Sequence, residues 1–315
     1  MAHNCNLIVD SCCDLPREYL DKEDVFIVRF PYFFGTEEAL DDLWATTSPK
    51  EFYNRMRKGE QPTTAQASIR ELTEVFEKAA ETGLPSVYLC FTSGLSASYD
   101  QACMVADQVR EKYPDFELHI VDTLLASTGE AFLVFEALRN HERGMNAQEL
   151  AEWADEVKHY VNVYFMVEDL ESLKRGGRIP STVAQAGSKL DVKPLLMIDS
   201  EGKLKIAGVA RGRKKGLRKL AQLYLERSDK FYVPPYVATG NADCEKDLGI
   251  MQGPIFDQGA MPVFINHSIG PVIGSHVGPG MVSIAFFGVD RRKNISVSDR
   301  IAKRVRAAEA EGAEE

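Results

Sequence analysis

Val87-Tyr88-Leu89-Cys90-Phe91-Thr92-Ser93-Gly94-Leu95-Ser96-Ala97-Ser98-Tyr99 is an apolar run, then a turn of hydroxyls with one glycine, then the start of a helical pattern. Strand, tight loop and helix form the unit of a parallel α/β sheet. The loop then falls at the carboxyl end of the strand, where such sheets hold ligands. A helix N-terminus brings unpaired N–H groups and the positive end of the macrodipole. No Asp, Glu, His, Lys or Arg interrupts the stretch. It reads as a cradle for an anion rather than as an attacking group.

Working outward, apolar strands at residues 7–10, 25–30, 86–91 and 118–121 alternate with helical patterns at 51–57, 69–81, 96–112 and 128–142. Residues 35–47 break the alternation and read as a loop over the sheet edge, and 146–159 as a helix leading out of the first unit. The second half has another texture. Strands at 162–167, 192–198 and 203–210, the last two joined by Ser200-Glu201-Gly202, imply antiparallel pairing. A short helix at 184–189, a basic helix at 212–227, a strand at 231–239, a helix at 243–251 and strands at 261–266 and 281–287 complete it. The expected fold is two-domain α/β. An N-terminal, mostly parallel sheet flanked by helices spans 1–158, a C-terminal α/β domain with a mixed sheet spans 159–288, and a charged tail covers 289–315.

A chain of 315 residues with 44% hydrophobic content supports a sizeable core. A net charge of −10 gives no general attraction for nucleic acid or anionic membrane, so an anion site must be built locally. The six cysteines show no C-x-x-C pair and no metal spacing. Cys12-Cys13 beside the first turn invite a redox reading less than a structural one. Residues 1–6 lack a signal-peptide pattern, and no apolar run approaches the roughly 18 residues of a membrane span. A cytoplasmic, reduced protein is expected.

Three more segments carry possible chemistry. Gln61-Pro62-Thr63-Thr64-Ala65-Gln66 is a proline turn followed by hydroxyls. Gly274-Ser275-His276-Val277-Gly278-Pro279-Gly280 frames a histidine with glycines and proline, so that His276 can hold an anion or act as a base. Lys174-Arg175-Gly176-Gly177-Arg178 and Arg211-Gly212-Arg213 hold arginines in constrained turns, candidates for fixed contacts with a carboxylate, a phosphate or an acidic partner. Walker, dinucleotide-binding and nucleophile-elbow patterns are absent. Asp10, Asp122 and Asp169 remain candidate bases, so a phosphotransfer or hydrolase enzyme using His276 with Asp10 or Asp122 is an alternative. A docking module built on the basic helix 212–227 is another.

Taken in order, these segments resemble the DegV family of bacterial fatty-acid-binding proteins. The resemblance runs from about Leu7 to Gly288, through Val9-Asp10-Ser11, Asp14-Leu15-Pro16, Pro62-Thr63-Thr64-Ala65-Gln66 and the Thr92–Tyr99 loop. It continues through Val121-Asp122-Thr123, the run from Asp169 to Ile179, Val192-Lys193-Pro194, Ala210-Arg211-Gly212 and His276-Val277-Gly278-Pro279-Gly280. It implies a protein without turnover of its own, which binds a long-chain fatty acid between two domains and presents its carboxylate to a separate fatty acid kinase. By the same resemblance, the carboxylate contacts are Thr64, Ser93 and His276. Thr63, Thr92, Gly94, Ser96 and Gly278 support them, and Arg178 and Arg211 face the head group or the partner. The bound fatty acid is the only ligand implied, with no cofactor, metal or nucleic acid. Ala65 and Ala97 replace a hydroxyl and a glycine of the family pattern. An apolar tunnel is expected among Phe165, Val183, Ala184, Leu190, Leu195, Leu196, Met197 and Ile206.

Overall fold

The computed structural model describes residues 4–180, 192–232 and 235–293. The expected helix at 184–189, the tunnel candidates Val183, Ala184 and Leu190, and the chain beyond 293 lie outside the described residues.

The first sheet holds four parallel strands in the order β2-β1-β6-β7: β1 (Asn6–Asp10), β2 (Val25–Val28), β6 (Ser86–Cys90) and β7 (Leu118–Asp122). β1 and β6 are buried at every position, as strands covered on both faces must be. Between β2 and β6 lies a small antiparallel sheet, and the expected loop at 35–47 contributes one of its strands. Strands β3 (Pro31–Phe34) and β4 (Glu37–Leu40) meet in a two-residue hairpin at Gly35, whose φ of +60° suits glycine, and β5 (Thr63–Thr64) pairs with β3. The polar face of β4 hid this hairpin from apolar periodicity.

Six helices accompany these strands: α1 (Arg17–Leu20), α2 (Pro49–Arg57), α3 (Ile69–Glu81), α4 (Ser98–Lys112), α5 (Thr128–Glu142) and α6 (Ala147–Val157). Helix α5 is buried around nearly its whole circumference, because it runs between the first sheet and a second. The second sheet is mixed, in the order β10-β9-β8-β13-β11-β12. Its strands are β8 (Val161–Met166), β9 (Val192–Ile198), β10 (Leu204–Arg211), β11 (Tyr236–Asn241), β12 (Val263–Ser268) and β13 (Val282–Phe287). Only β11 and β12 pair in parallel, and β9 and β10 pair antiparallel across Ser200-Glu201-Gly202 as expected. The second half also carries α7 (Glu171–Arg175), α8 (Arg213–Arg227), α9 (Lys246–Asp257) and α10 (Pro271–Val277). Helices α8 and α9 cover the sheet face opposite α5, burying Leu217, Leu220, Met251 and Ile255 against Tyr164, Val237 and Ile284. Of the tunnel candidates, Leu195 and Met197 face this outer core.

Two features join the halves. At the start of α5, a Cβ on Gly129 would lie 2.3 Å from Val163 Cγ2, so the helix backbone presses directly on β8. Beside it, Thr128 Oγ1 and Ser283 Oγ form a 2.5 Å hydrogen bond. The second feature is Arg291, expected in a charged tail but 2% exposed. Its guanidinium donates to the carbonyls of Asp199 at 2.6 Å, Lys158 at 2.7 Å and Leu124 at 3.3 Å, tying the β9–β10 turn to the end of the first sheet. Charge composition placed it in solvent; converging backbone carbonyls hold it inside.

Four fully buried carboxyls line the carboxyl end of β1. Asp10 accepts from Tyr88 Oη and Phe91 N, and Glu130 of α5 faces it. Asp14 accepts from Gly270 N at 2.9 Å and Ser127 Oγ at 2.5 Å, and Asp41 accepts from Leu43 N at 3.1 Å. Burial pushes Asp10 and Asp41 up to about 7 and raises Asp14 and Glu130 as well. The neighbouring Cys12 and Cys13 thiols are pushed up by burial and by these acids, which removes the thiolate character that redox chemistry needs.

Two predictions follow from these features. Arg291→Met leaves the Leu124, Ile198, Asp199 and Lys158 carbonyls without their shared donor and should cost about 3 kcal/mol; an unchanged urea midpoint would show that the clasp contributes nothing. The acids act with a definite sign. Their folded pKa values lie above the unfolded value of 3.8, so their contribution to stability is complete below that value and is lost as pH rises through about 7. Urea midpoints should therefore fall as pH rises from about 4 to about 7 and level off above that, and fall less in Asp41→Asn.

Candidate functional site

An apolar cavity opens between the carboxyl ends of the first sheet and the face of the second. Its walls come from Phe30 and Phe91 of the first half and from Val163, Phe165, Ile198, Leu204 and Met281 of the second, with Ile273 and Val277 of α10 between them. Cavity and mouth together hold about 750 Å³ of space free of protein atoms, open solvent at the mouth included. Of the tunnel candidates, Phe165 lines this cavity, and Leu196 and Ile206 line an adjoining outer pocket that shares Leu95, Arg178 and Leu204 with it.

One polar group forms around Thr64, His276 and Arg178, and Ser127, Thr128 and Ser283 line the cavity as well. Thr64 belongs to β5, whose pairing with β3 turns Thr64 inward and leaves Thr63 exposed. His276 lies in the last turn of α10, so half of the glycine-framed turn is helix, and Gly278 at φ +74° ends it. Gly274 and Tyr53 seat this helix. A Cβ on Gly274 would lie 2.5 Å from Tyr53 Oη, and that hydroxyl donates to Ile269 O at 2.8 Å. Thr64 Oγ1 and His276 Nε2 are 2.8 Å apart, although 212 residues separate them. Burial, with Arg178 and Arg175 nearby, pushes His276 down to about 4, so the imidazole is neutral at physiological pH.

Arg178 lines the same cavity. Its Nε donates to Leu95 O at 3.3 Å and Nη1 to Gly176 O at 2.5 Å, and no carboxylate among the described residues pairs with it. Partial burial holds its pKa below the ordinary value for arginine. Ser96 is the loop hydroxyl that reaches the cavity, with Oγ 2.9 Å from Ser98 Oγ.

The structure does not bring Ser93 or Arg211 to this place. Ser93 is exposed and its Oγ donates to Asp122 Oδ2 at 2.5 Å, an acid one strand away that the loop's own composition concealed. Arg211 is exposed at the end of β10. Thr92 and Gly94 serve in docking instead. Thr92 Oγ1 donates to Gly202 O at 3.2 Å, and a Cβ on Gly94 would lie 2.6 Å from Glu201 O. The hydroxyl loop thus receives the β9–β10 turn, and only Ser96 is left to face a ligand. Gly278 lies beside Ser172 rather than in the cavity wall.

His276 bonds to Thr64, while Asp10 is held by Tyr88 and Phe91 and Asp122 by Ser93 and Leu124. The His–Asp arrangement of a hydrolytic site is not assembled from these partners. Among the described residues, no His, Cys, Asp and Glu group is placed to hold a metal ion, and no helix is long and apolar enough to cross a membrane. Gln66 and Gly176 also belong to the site, and sequence reasoning passed over both as site residues: Gln66 lines the cavity, and Gly176 packs on the imidazole. The paired glycines at 176–177 were the available signal.

Comparison with known proteins agrees with this architecture. The sequence model of the DegV family, described as uncharacterised proteins, matches residues 4–289. A DegV domain-containing protein of Clostridium perfringens is 34% identical over 285 residues, covering 90% of this chain and 97% of that protein. A second, from Lactococcus lactis, is 32% identical over 286 residues, covering 91% and 98%. Among solved structures, a stearic-acid-binding protein from Eubacterium ventriosum superimposes with a TM-score of 0.79 at 27% identity, over 90% of this chain and 98% of that one. A fatty-acid-binding DegV family protein from Thermus thermophilus gives 0.79 at 27% identity, over 91% and 100%. Matched along nearly its whole described length in sequence and in fold, the chain belongs to the DegV family.

Proposed function

We propose that this protein binds one long-chain fatty acid between its N-terminal and C-terminal domains, and that it presents the carboxylate to a separate ATP-dependent fatty acid kinase. The observation that carries the reading is an apolar cavity whose wall holds the bonded pair Thr64 and His276, with Ser96 and Arg178 also lining it. Each buried CH₂ contributes about 0.8 kcal/mol, so an acyl chain supplies the affinity. A carboxylate leaving water needs donors in place of its hydration. Two hydroxyls and a neutral imidazole supply them, and Arg178, unpaired with any carboxylate among the described residues, supplies the countercharge. The fatty acids bound by the similar Eubacterium and Thermus proteins support the same ligand class. The kinase step rests on the family resemblance, and Arg175 and Arg178, near His276, are the basic residues that would meet a phosphate there.

Native mass spectrometry and lipid extraction of the purified protein test the ligand. A co-purifying fatty acid is expected; a protein that neither carries nor takes one up would end the proposal. Ser96→Ala and His276→Ala should each weaken fatty-acid binding by about tenfold, whereas Ser93→Ala should leave it unchanged. With an added bacterial fatty acid kinase and ATP, the loaded protein should yield acyl phosphate, and no product should form without the kinase.

A further inference from the structure

We propose that Gly176 is a positioning residue that fixes the tautomer of His276, placing its proton on Nε2 and thereby making Thr64 a hydrogen-bond donor into the cavity. A Cβ on Gly176 would lie 2.1 Å from His276 Nδ1 and 2.9 Å from Cε1, so the Nδ1 edge of the ring rests on the bare backbone of this glycine. Both polar groups of that backbone are engaged elsewhere. Gly176 N donates to Ser172 O at 2.9 Å, and Gly176 O accepts from Arg178 Nη1 at 2.5 Å. Nδ1 is buried and has no hydrogen-bond partner among the described residues.

A buried N–H with no acceptor is rarer and costlier than a buried lone pair with no donor. The positive charges of Arg178 and Arg175, which bear on this ring, also favour a bare lone pair over another N–H dipole. The proton of the neutral ring therefore sits on Nε2, 2.8 Å from Thr64 Oγ1. Thr64 accepts that proton's hydrogen bond, and its own O–H is free to turn toward a ligand oxygen. This last step rests on the fatty-acid reading; the tautomer itself does not.

Long-range ¹H–¹⁵N correlation spectra of the full-length, ¹⁵N-labelled protein, stripped of lipid, read the tautomer directly, with His276→Gln identifying the signals. The expected pattern is a downfield, unprotonated Nδ1 and an upfield, protonated Nε2. The reverse pattern, or averaging between the two, overturns the proposal whether or not any lipid binds. Gly176→Ala displaces the ring and should shift this signature. With dodecanoate to octadecanoate as probes, it should also weaken binding by about tenfold. Thr64→Ser, which keeps the hydroxyl, should retain most of the affinity that Thr64→Val loses. Equal losses in both Thr64 variants would exclude the donor role.

Discussion

Helix α5 running between two sheets is the constraint on which the rest of this protein depends. A helix buried on nearly every side must approach its neighbours closely. Gly129 against Val163, and Thr128 bonded to Ser283, achieve that approach. The contact sets the distance between the carboxyl ends of the first sheet and the face of the second, and the cavity occupies that gap. Arg291 closes the same gap from its rim by gathering carbonyls from the first sheet's end, from the segment before β8 and from the β9–β10 turn. The two units are held by packing, by one buried cation and, at the surface, by ion pairs such as Arg57 with Asp243.

Neutrality is the second theme. The buried carboxyls behind the cavity have their pKa values raised by burial, which favours their neutral form. His276 is neutral for the same reason with the shift reversed: burial disfavours its charged form and so lowers its pKa. The polar groups of the cavity wall therefore offer aimed donors and one fixed guanidinium. That arrangement suits a ligand with a single anionic group on an apolar body, because the anion finds donors while the cavity walls stay dry.

Much of the fold was legible in the sequence. The strand, loop and helix around Thr92, the alternation before residue 142 and the Ser200-Glu201-Gly202 turn all appeared where periodicity and turn chemistry put them, because local patterning and burial agree there. The β3–β4 hairpin and helix α10 did not. One strand of the hairpin is exposed and polar, and the helix is short and glycine-rich, so neither shows the apolar period of its type. Arg291 escaped for a related reason: an arginine among charged residues looks solvated until backbone carbonyls converge on it.

The sequence by itself determined the α/β class, the segments that matter and the kinds of side chain they bring, since these follow from local patterning and residue chemistry. Which of those side chains meet was decided only in three dimensions. Thr64 and His276 come together because β5 joins β3 while α10 is seated on Tyr53, a long-range pairing that no local pattern encodes. Ser93 and Ser96 are chemically alike and three residues apart, yet one turns to Asp122 and the other to the cavity. The choice rests with the neighbouring strand and with the β9–β10 turn docked on the loop, because an exposed hydroxyl goes to the strongest acceptor that tertiary packing places within reach.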